Sequence, residues 1–156
     1  MIPALETQIG SLKEFEFTKI RFNNSIMFKF LASCSNLNKI SFQHCDGFFL
    51  ENVEPIIKSP PICLKKLYLC DNDMSSDALI TLLRNTRNTL NQLTLDERAT
   101  ETSTKIIETI VTHCPNLSYL DMKVLNAADI NLLYPLRKSQ LKHLILNKGF
   151  AKHHRW

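Results

Sequence analysis

The stretch Leu64-Lys65-Lys66-Leu67-Tyr68-Leu69 is the clearest copy of a six-residue pattern, L-x-x-L-x-L, that decides the fold of this chain. With Phe, Ile or Met allowed at the apolar places, the pattern occurs six times, and successive copies start 25, 27, 26, 27 and 24 residues apart. The copies are Leu12-Phe15-Phe17, Leu37-Ile40-Phe42, Leu64-Leu67-Leu69, Leu90-Leu93-Leu95, Leu117-Leu120-Met122 and Leu141-Leu144-Leu146. One copy could arise by chance in an apolar-rich chain, but six copies in phase indicate a repeat protein.

Each copy has the pattern of a short strand that is buried on one side. Apolar residues at the fourth and sixth places alternate with polar residues, which is the period-two pattern of a half-buried strand. We therefore expect Leu67 and Leu69 to face inward, and Lys66, Tyr68 and Cys70 to face outward. The six strands should be centred near Phe15, Ile40, Leu67, Leu93, Leu120 and Leu144.

A polar turn and a segment of helical spacing follow most of the strands. After the predicted strand that contains Leu67 and Leu69, Ser75 or Ser76 can cap a helix whose apolar face holds Leu79, Leu82 and Leu83. The next unit offers Thr102 or Ser103 as a cap, followed by Ile106, Ile107, Ile110 and Val111. A further helix is expected from Asn24 to about Cys34, with Ile26, Phe28, Phe30 and Leu31 available to the core. Another either begins near Pro55 or is kinked by it, and a short one runs from Ala127 to Leu133. At the N-terminus, Leu5, Gln8, Ile9 and Leu12 have the spacing of a helix.

A strand-turn-helix unit that recurs every 20–29 residues is typical of a leucine-rich repeat solenoid. One unit cannot bury its apolar face alone, so the strands must stack into one parallel sheet with the helices outside. The predicted fold is an α/β horseshoe arc of about six repeats of 24–27 residues, with the sheet concave and the helices convex. Residues 1–150 should form this single domain, with an incomplete first repeat, and residues 151–156 a basic C-terminal tail.

Composition and cysteine usage exclude several classes of function. The net charge of +4 is modest, and no run of Lys and Arg alternates with aromatic residues, so we expect no nucleic-acid partner. No apolar stretch is long enough to span a membrane, and the first residues lack the features of a signal peptide. Five cysteines without C-x-x-C spacing suggest reduced thiols in the cytoplasm or nucleus.

Two segments before strands carry a cysteine at the same place. They are Ser33-Cys34-Ser35-Asn36-Leu37 and His113-Cys114-Pro115-Asn116-Leu117. Counted from the first leucine of each copy of L-x-x-L-x-L, the ninth place holds Cys45 in the second unit and Asn72 in the third. The other four units have Ile20, Arg98, Leu125 and Gly149 there. These features resemble the cysteine-containing subtype of leucine-rich repeat found in F-box/leucine-rich-repeat proteins, most of all the fungal F-box families.

The resemblance implies the substrate-recognition repeats of an SCF-type ubiquitin ligase. F-box proteins of this kind hold a protein target on their repeats and dock an adaptor and cullin through a helical F-box that opens on L-P-x-E-[IL]. That motif does not occur in this sequence, so the adaptor and cullin are expected only if a longer form supplies it. The chain is expected to be the C-terminal part of a longer array, or an abbreviated relative of one.

Catalytic and metal sites are less favoured than core packing. His44-Cys45, Cys63, Cys70 and His113-Cys114 do not have the paired close spacing of zinc ligands, and Cys34, Cys45 and Cys114 occupy repeat positions that a small buried thiol fills. A cysteine nucleophile needs a histidine partner, but neighbours at a helix end point apart. We therefore expect a non-enzymatic protein without a metal or cofactor.

The outward strand positions should align in columns across the sheet. The middle column would hold Glu16, Ser41, Tyr68, Thr94, Asp121 and Ile145, between one column of Glu14, Lys39, Lys66, Gln92, Tyr119 and His143 and another of Thr18, Gln43, Cys70, Asp96, Lys123 and Asn147. The predicted partner-binding residues are Lys66, Tyr68, Gln92, Thr94, Tyr119 and Asp121, because tyrosines are common anchors of interfaces. An ordinary solvated sheet face explains the same columns equally well.

Three functions fit these observations. The first is a substrate receptor of a ubiquitin ligase, and the second is a leucine-rich-repeat scaffold with no connection to ubiquitin. The third is a GTPase activator built of repeats, in which asparagine occupies the ninth place; of the six units here, only that of Asn72 matches.

Overall fold

In this computed structural model, six parallel strands form one sheet among the residues that the structure describes. Their order across the sheet is the order along the chain, so every strand pairs with the one from the next repeat. The structure describes residues 7–59, 63–86, 88–96, 103–124, 127–138 and 140–148. The strands are β1 (Glu14–Thr18), β2 (Lys39–Gln43), β3 (Lys66–Cys70), β4 (Gln92–Asp96), β5 (Tyr119–Val124) and β6 (His143–Lys148).

The strand register aligns equivalent places of neighbouring repeats. Leu67 of β3 lies opposite Ile40 of β2 on one side and Leu93 of β4 on the other. Tyr68 lies opposite Ser41 and Thr94 in the same way, and Asp121 lies opposite Thr94 and Ile145. The predicted strand centres are therefore confirmed, and the α/β repeat solenoid is the observed fold.

Helices follow the strands and pack against one another in chain order. Because a parallel connection must return to the same end of the sheet, each helix carries the chain back before the next strand begins. The helices are α1 (Ile26–Ser33), α2 (Leu50–Lys58), α3 (Ser76–Asn85), α4 (Ser103–His113) and α5 (Ala127–Leu132), and a short 3₁₀ helix follows at Tyr134–Lys138. Among the described residues, no helix is long and apolar enough to cross a membrane.

The core lies between the sheet and the helices. The inward strand residues Leu67, Leu93 and Leu120 are fully buried, as are Leu83 of α3 and Ile107 of α4. Toward the N-terminal end the core is aromatic, with T-shaped or stacked rings whose centroids lie 4.8–5.8 Å apart. Those rings belong to Phe17, Phe22, Phe42 and Phe48.

The ninth place of two repeats connects each unit to the one before it. Asn72 is fully buried; its side-chain oxygen accepts from the Cys45 N–H at 2.9 Å, and its amide group donates to the Phe42 carbonyl at 3.0 Å. Cys45 is also fully buried, and its thiol donates weakly to the Phe17 carbonyl at 3.6 Å. Phe17 and Phe42 hold the same place in their repeats. Cys45 and Asn72 therefore form equivalent hydrogen bonds, each to the strand of the preceding repeat.

The predicted helices are found, with some differences in detail. Ser75 caps α3 by accepting from the Ala78 N–H at 3.3 Å. Helix α2 begins five residues before Pro55 and runs through it, although the missing N–H removes one intrahelical bond, because Val53 and Ile56 bury its inner face. Of the two alternatives expected there, a helix that begins near Pro55 is therefore wrong, and a kink at Pro55 stays a prediction.

Two further expectations are also wrong. Ile26, expected to be available to the core, is 50% exposed because it starts α1, whose buried residues are Phe28, Phe30 and Leu31. Residues 7–12 form a turn closed by the Leu12 N–H on the Gln8 carbonyl at 2.9 Å, where a helix was expected. The expected helix residue Leu5, the cap Thr102, the ninth-place residues Arg98, Leu125 and Gly149, and the tail 151–156 lie outside the described residues.

The last repeat leaves its apolar face partly open. Leu144 of β6 holds the same place as Leu93 of β4, yet it is 43% exposed where Leu93 is fully buried. The described residues contain no strand or helix beyond β6 that would cover it. Leu144, Ile130 and Tyr134 line a groove of about 350 Å³ at this end of the sheet.

Candidate protein-binding surface

The strand residues that point away from the helices form a second, polar face of the sheet, which we call the open face. It consists of the outward residues of β1 to β6. These fall into three columns, which begin at Glu14, Glu16 and Thr18 of β1 and end at His143, Ile145 and Asn147 of β6. Most of these side chains are partly or fully exposed and therefore accessible to a partner.

All six predicted site residues lie together at the centre of the open face. Lys66 and Tyr68 are on β3, Gln92 and Thr94 on β4, and Tyr119 and Asp121 on β5. Each of them is partly exposed. The register places them in two rows of three, Lys66-Gln92-Tyr119 and Tyr68-Thr94-Asp121. The grouping of these residues is thus an observed property of the fold, while their role in binding stays a prediction.

Both tyrosines contact neighbouring strands across the face, and a hydrogen bond holds Tyr68 in place. The Tyr68 hydroxyl donates to Oε1 of Gln92 at 2.9 Å, and the Lys39 ammonium lies 5.8 Å from the centroid of the Tyr68 ring. The Tyr119 ring lies 6.2 Å from the His143 ring, centroid to centroid, and the charge of Asp121 acts on its hydroxyl. Ring positions fixed before binding reduce the entropy that a partner must overcome when it orders the interface.

The electrostatics around Asp121 keep Tyr119 a hydrogen-bond donor. Loss of hydration, followed by the negative charge of Asp121, raises the pKa of the Tyr119 hydroxyl. Partial burial and then the charge of Asp96 raise the pKa of Asp121, while the Tyr119 hydrogen bond opposes that rise. The Asp121 carboxylate also accepts from Nδ2 of Asn147 at 3.0 Å. Tyr119 therefore stays a protonated hydroxyl at neutral pH, and Asp121 is an acceptor within the face.

Several contacts on the open face have no signal in the sequence. Ser41 was expected among the outward residues, but only 3% of it is exposed. The Gln43 amide lies over it and donates to Ser41 Oγ at 3.3 Å and to Glu16 Oε1 at 3.0 Å. Lys123 forms an ion pair with Asp96 in the neighbouring strand. Long polar side chains reach across strands in ways that a register alone does not specify.

The cysteines predicted for the core are buried, and their environment does not favour catalysis. Cys34, Cys45 and Cys114 belong to the buried core. Burial raises the pKa of the Cys114 thiol to about 12, against a smaller opposing effect of a hydrogen bond with Thr86. A reactive cysteine has a lowered pKa, since the thiolate is the nucleophile. No group of three or more metal-ligating side chains occurs among the described residues.

Thiol labelling should follow this division. We expect iodoacetamide to modify the exposed Cys63 in the native protein, while Cys114 reacts more than about 100-fold more slowly because labelling requires local opening. Mass spectrometry of tryptic peptides over a time course measures both rates. Rapid modification of Cys114 without denaturant would contradict its placement in the core. In the variant Cys63→Ser, the remaining rapid modification should be confined to the partly exposed Cys70 of the open face.

The comparisons with known proteins support the fold. No family model and no curated protein sequence matches this chain. Among solved structures, the chain is similar to the tropomodulin C-terminal domain of Caenorhabditis elegans, with a TM-score of 0.64 and 13% sequence identity, covering 86% of this chain and 90% of that one. The likeness confirms a leucine-rich-repeat-like solenoid. The resemblance to F-box proteins is thus supported at the level of the repeat fold, and not for that family specifically.

Proposed function

We propose that this protein is a non-enzymatic binding module that holds a partner protein on the open face at β3, β4 and β5. The observation that carries the proposal is the pair of partly exposed tyrosines, Tyr68 and Tyr119, at the centre of an uncovered sheet, with the Tyr68 hydroxyl hydrogen-bonded to Gln92. Rigid aromatic anchors surrounded by polar groups are the features that carry most of the binding energy at protein interfaces.

The fold supports the same proposal. Stacked repeats give an extended surface whose residues can vary without disturbing the core, because outward positions do not pack. The similar solved structure is a tropomodulin domain. The similarity between that domain and this chain is a similarity of fold alone. The proposed binding activity therefore rests on the open face of this chain.

A narrower form of the proposal is a substrate receptor of an SCF-type ubiquitin ligase. The cysteines before β2 and β5 and the ninth-place pair of Cys45 and Asn72 support it through the resemblance to F-box/leucine-rich-repeat proteins. The adaptor and cullin would be partners only of a longer form that carries an F-box. We also propose a cytoplasmic or nuclear location, in keeping with five cysteines that all remain free thiols.

Purification of the full-length gene product under native conditions tests the narrower proposal. Cullin and its adaptor should co-purify in amounts similar to the bait if the ligase role holds. A complex that contains other proteins but neither of these would leave the general binding function in place and remove the connection to ubiquitin.

Alanine substitutions test the general proposal once a partner has been purified. Truncating a central aromatic anchor typically costs about 2 kcal/mol, so Tyr68→Ala and Tyr119→Ala should each weaken binding about 30-fold in isothermal titration calorimetry. Exposed helix residues serve as controls, and Arg84→Ala and Glu108→Ala should leave the affinity unchanged. Unchanged circular dichroism spectra and urea midpoints would show that the variants are folded.

The opposite pattern would move the binding site. If Arg84→Ala or Glu108→Ala weakens binding while the tyrosine variants do not, the partner uses the helical side of the solenoid. A third variant, Tyr68→Phe, separates the ring from its hydroxyl, because it keeps the apolar surface and removes only the hydrogen bond to Gln92. We expect a smaller loss of affinity for Tyr68→Phe than for Tyr68→Ala.

A further inference from the structure

This inference rests on the proposal above that the open face is the binding surface. The charges of that face then indicate the chemistry of the partner. Four carboxylates stand in the three columns, and each already has a partner within the face. Glu14 pairs with the Lys39 ammonium at 3.1 Å, and Asp96 pairs with Lys123. Glu16 accepts from Gln43 and Asp121 from Asn147, both at 3.0 Å. Glu14 and Asp96 are therefore neutralised by lysines, whereas Glu16 and Asp121 accept from neutral amides and keep their negative charge in the middle column.

One lysine of the columns also lacks a counter-charge within the described residues, and it lies at a different place, the edge where the strands begin. Of the three lysines in the columns, Lys39 and Lys123 are the two in ion pairs. Lys66 is half-buried and lies between Lys39 and Gln92, and among the described residues its ammonium has no carboxylate partner. The exposed Lys65 precedes it at the edge where the strands begin, and also lacks an ion pair there. At the edge where the strands begin, Lys65 and Lys66 are thus positive charges without a counter-charge in the part of the chain that the structure describes, and Lys66 lies two residues before Tyr68 on β3.

We propose that the open face binds an acidic segment of its partner protein, whose carboxylates pair with Lys66 and Lys65 next to the Tyr68 ring. A half-buried ammonium gains most from a counter-charge, because displacement of water around it strengthens the attraction. The Tyr68 ring, already fixed by Gln92, supplies apolar area beside that pair. Acidic groups in the partner would also be attracted before contact, which raises the rate of association.

A nucleic acid fits this face less well than an acidic peptide. Its phosphates form a continuous line of negative charge, and the columns hold four carboxylates, Glu14 and Glu16 on β1, Asp96 on β4 and Asp121 on β5. A phosphate backbone lying along the sheet would meet these carboxylates on either side of Lys66. A short acidic cluster can instead contact Lys65 and Lys66 alone, at the edge where the strands begin.

Fluorescence anisotropy with a labelled peptide tests the inference on the whole chain. The probe is a fluorescein-labelled peptide rich in Glu and Asp with interspersed Leu and Tyr, and its companions carry Gln or Lys in place of each acidic residue. We expect the acidic peptide to bind most tightly and its affinity to fall with added salt. The double variant Lys65→Glu/Lys66→Glu should reduce that affinity about 10-fold or more.

A matched variant controls for net charge. Lys29→Glu/Lys105→Glu makes the same change in total charge at two exposed helix positions, and it should leave the affinity for the acidic peptide within about twofold. An equal loss in both double variants would overturn the inference, because it would reduce the effect to overall charge. A fluorescein-labelled oligothymidine that binds more tightly than the peptide, and loses affinity on Lys65→Glu/Lys66→Glu, would overturn it in favour of a nucleic-acid surface.

The remaining outcomes separate this inference from the proposed function. If the Gln or Lys peptide binds as well as the acidic one, the acidic partner is ruled out; if that binding still depends on Tyr68 and Tyr119, the open face remains a protein-binding surface. Amide chemical-shift changes in a titration with the acidic peptide should fall on β3, β4 and β5. Changes confined to the helices would overturn both proposals.

Discussion

Replacing Leu93 with alanine should lower the free energy of unfolding by about 2–5 kcal/mol, the range measured for a buried leucine that leaves a cavity. Leu93 is fully buried in β4 and lies opposite Leu67 on one side and Leu120 on the other, so repeats on both sides lose contacts. A continuous core cannot collapse easily around such a gap, because each repeat is held in register by its neighbours. Urea denaturation followed by circular dichroism measures the change.

Two controls separate burial from position. Thr94 is the next residue on the same strand but lies on the open face, so Thr94→Ala should cost less than about 1 kcal/mol. Leu144 holds the same place as Leu93 in the last repeat but is 43% exposed, so Leu144→Ala should cost about half as much or less. Equal urea midpoints for Leu93→Ala and Thr94→Ala would contradict the inward assignment of Leu93.

Most of the fold could be predicted because two periods agree in this sequence. The period of two within each strand states which residues face the core, and the period of 24–27 between copies states which strands are equivalent. Parallel pairing of equivalent strands then fixes the register, as Leu67 opposite Ile40 and Leu93 demonstrates. A slip by one residue would turn every such leucine outward, so the apolar pattern admits one register.

The ends of the solenoid were predicted less well, because the repeat pattern constrains them less. The apolar spacing of Ile9 and Leu12 fits a helix, but a turn closed at the Gln8 carbonyl also packs both side chains against the core. Ile26 has the composition of a core residue and lies at the first position of α1, outside the stripe that meets the sheet. Which apolar residue stays outside depends on the angle of the helix, and the sequence does not state that angle.

The grouping of the candidate site residues could be predicted from the sequence, whereas the ion pairs around them could not. Columns follow from the register, so the grouping of Tyr68, Thr94 and Asp121 could be foreseen. The ion pairs that neutralise Glu14 and Asp96, and leave Lys66 without a carboxylate, depend on the rotamers of long side chains. Those contacts join residues of different repeats, and only the assembled sheet brings their charged ends together.

The second large effect is expected at Asn72, where the variant Asn72→Ala should lower the free energy of unfolding by about 3 kcal/mol. The substitution leaves the Cys45 N–H and the Phe42 carbonyl without this partner in a buried region, and each unpaired group costs about 1–3 kcal/mol. An exposed asparagine provides the control, and Asn131→Ala on α5 should change stability by less than about 0.5 kcal/mol. Urea midpoints at neutral pH measure both.

Two further variants distinguish the hydrogen bonds of Asn72 from its volume. Cys45→Ala removes the equivalent side chain of the preceding repeat, but a thiol is a weak donor, so its cost should be clearly smaller. Asn72→Asp keeps the acceptor for the Cys45 N–H and buries a carboxyl whose ionised form is disfavoured. Its pKa in the folded state is then raised above the unfolded value, so the variant should be more stable at acidic pH and lose stability as the pH rises through that range. If Asn72→Asp shows no dependence on pH, or if Asn72→Ala costs no more than Cys45→Ala, the hydrogen bonds between repeats do not account for the role of Asn72.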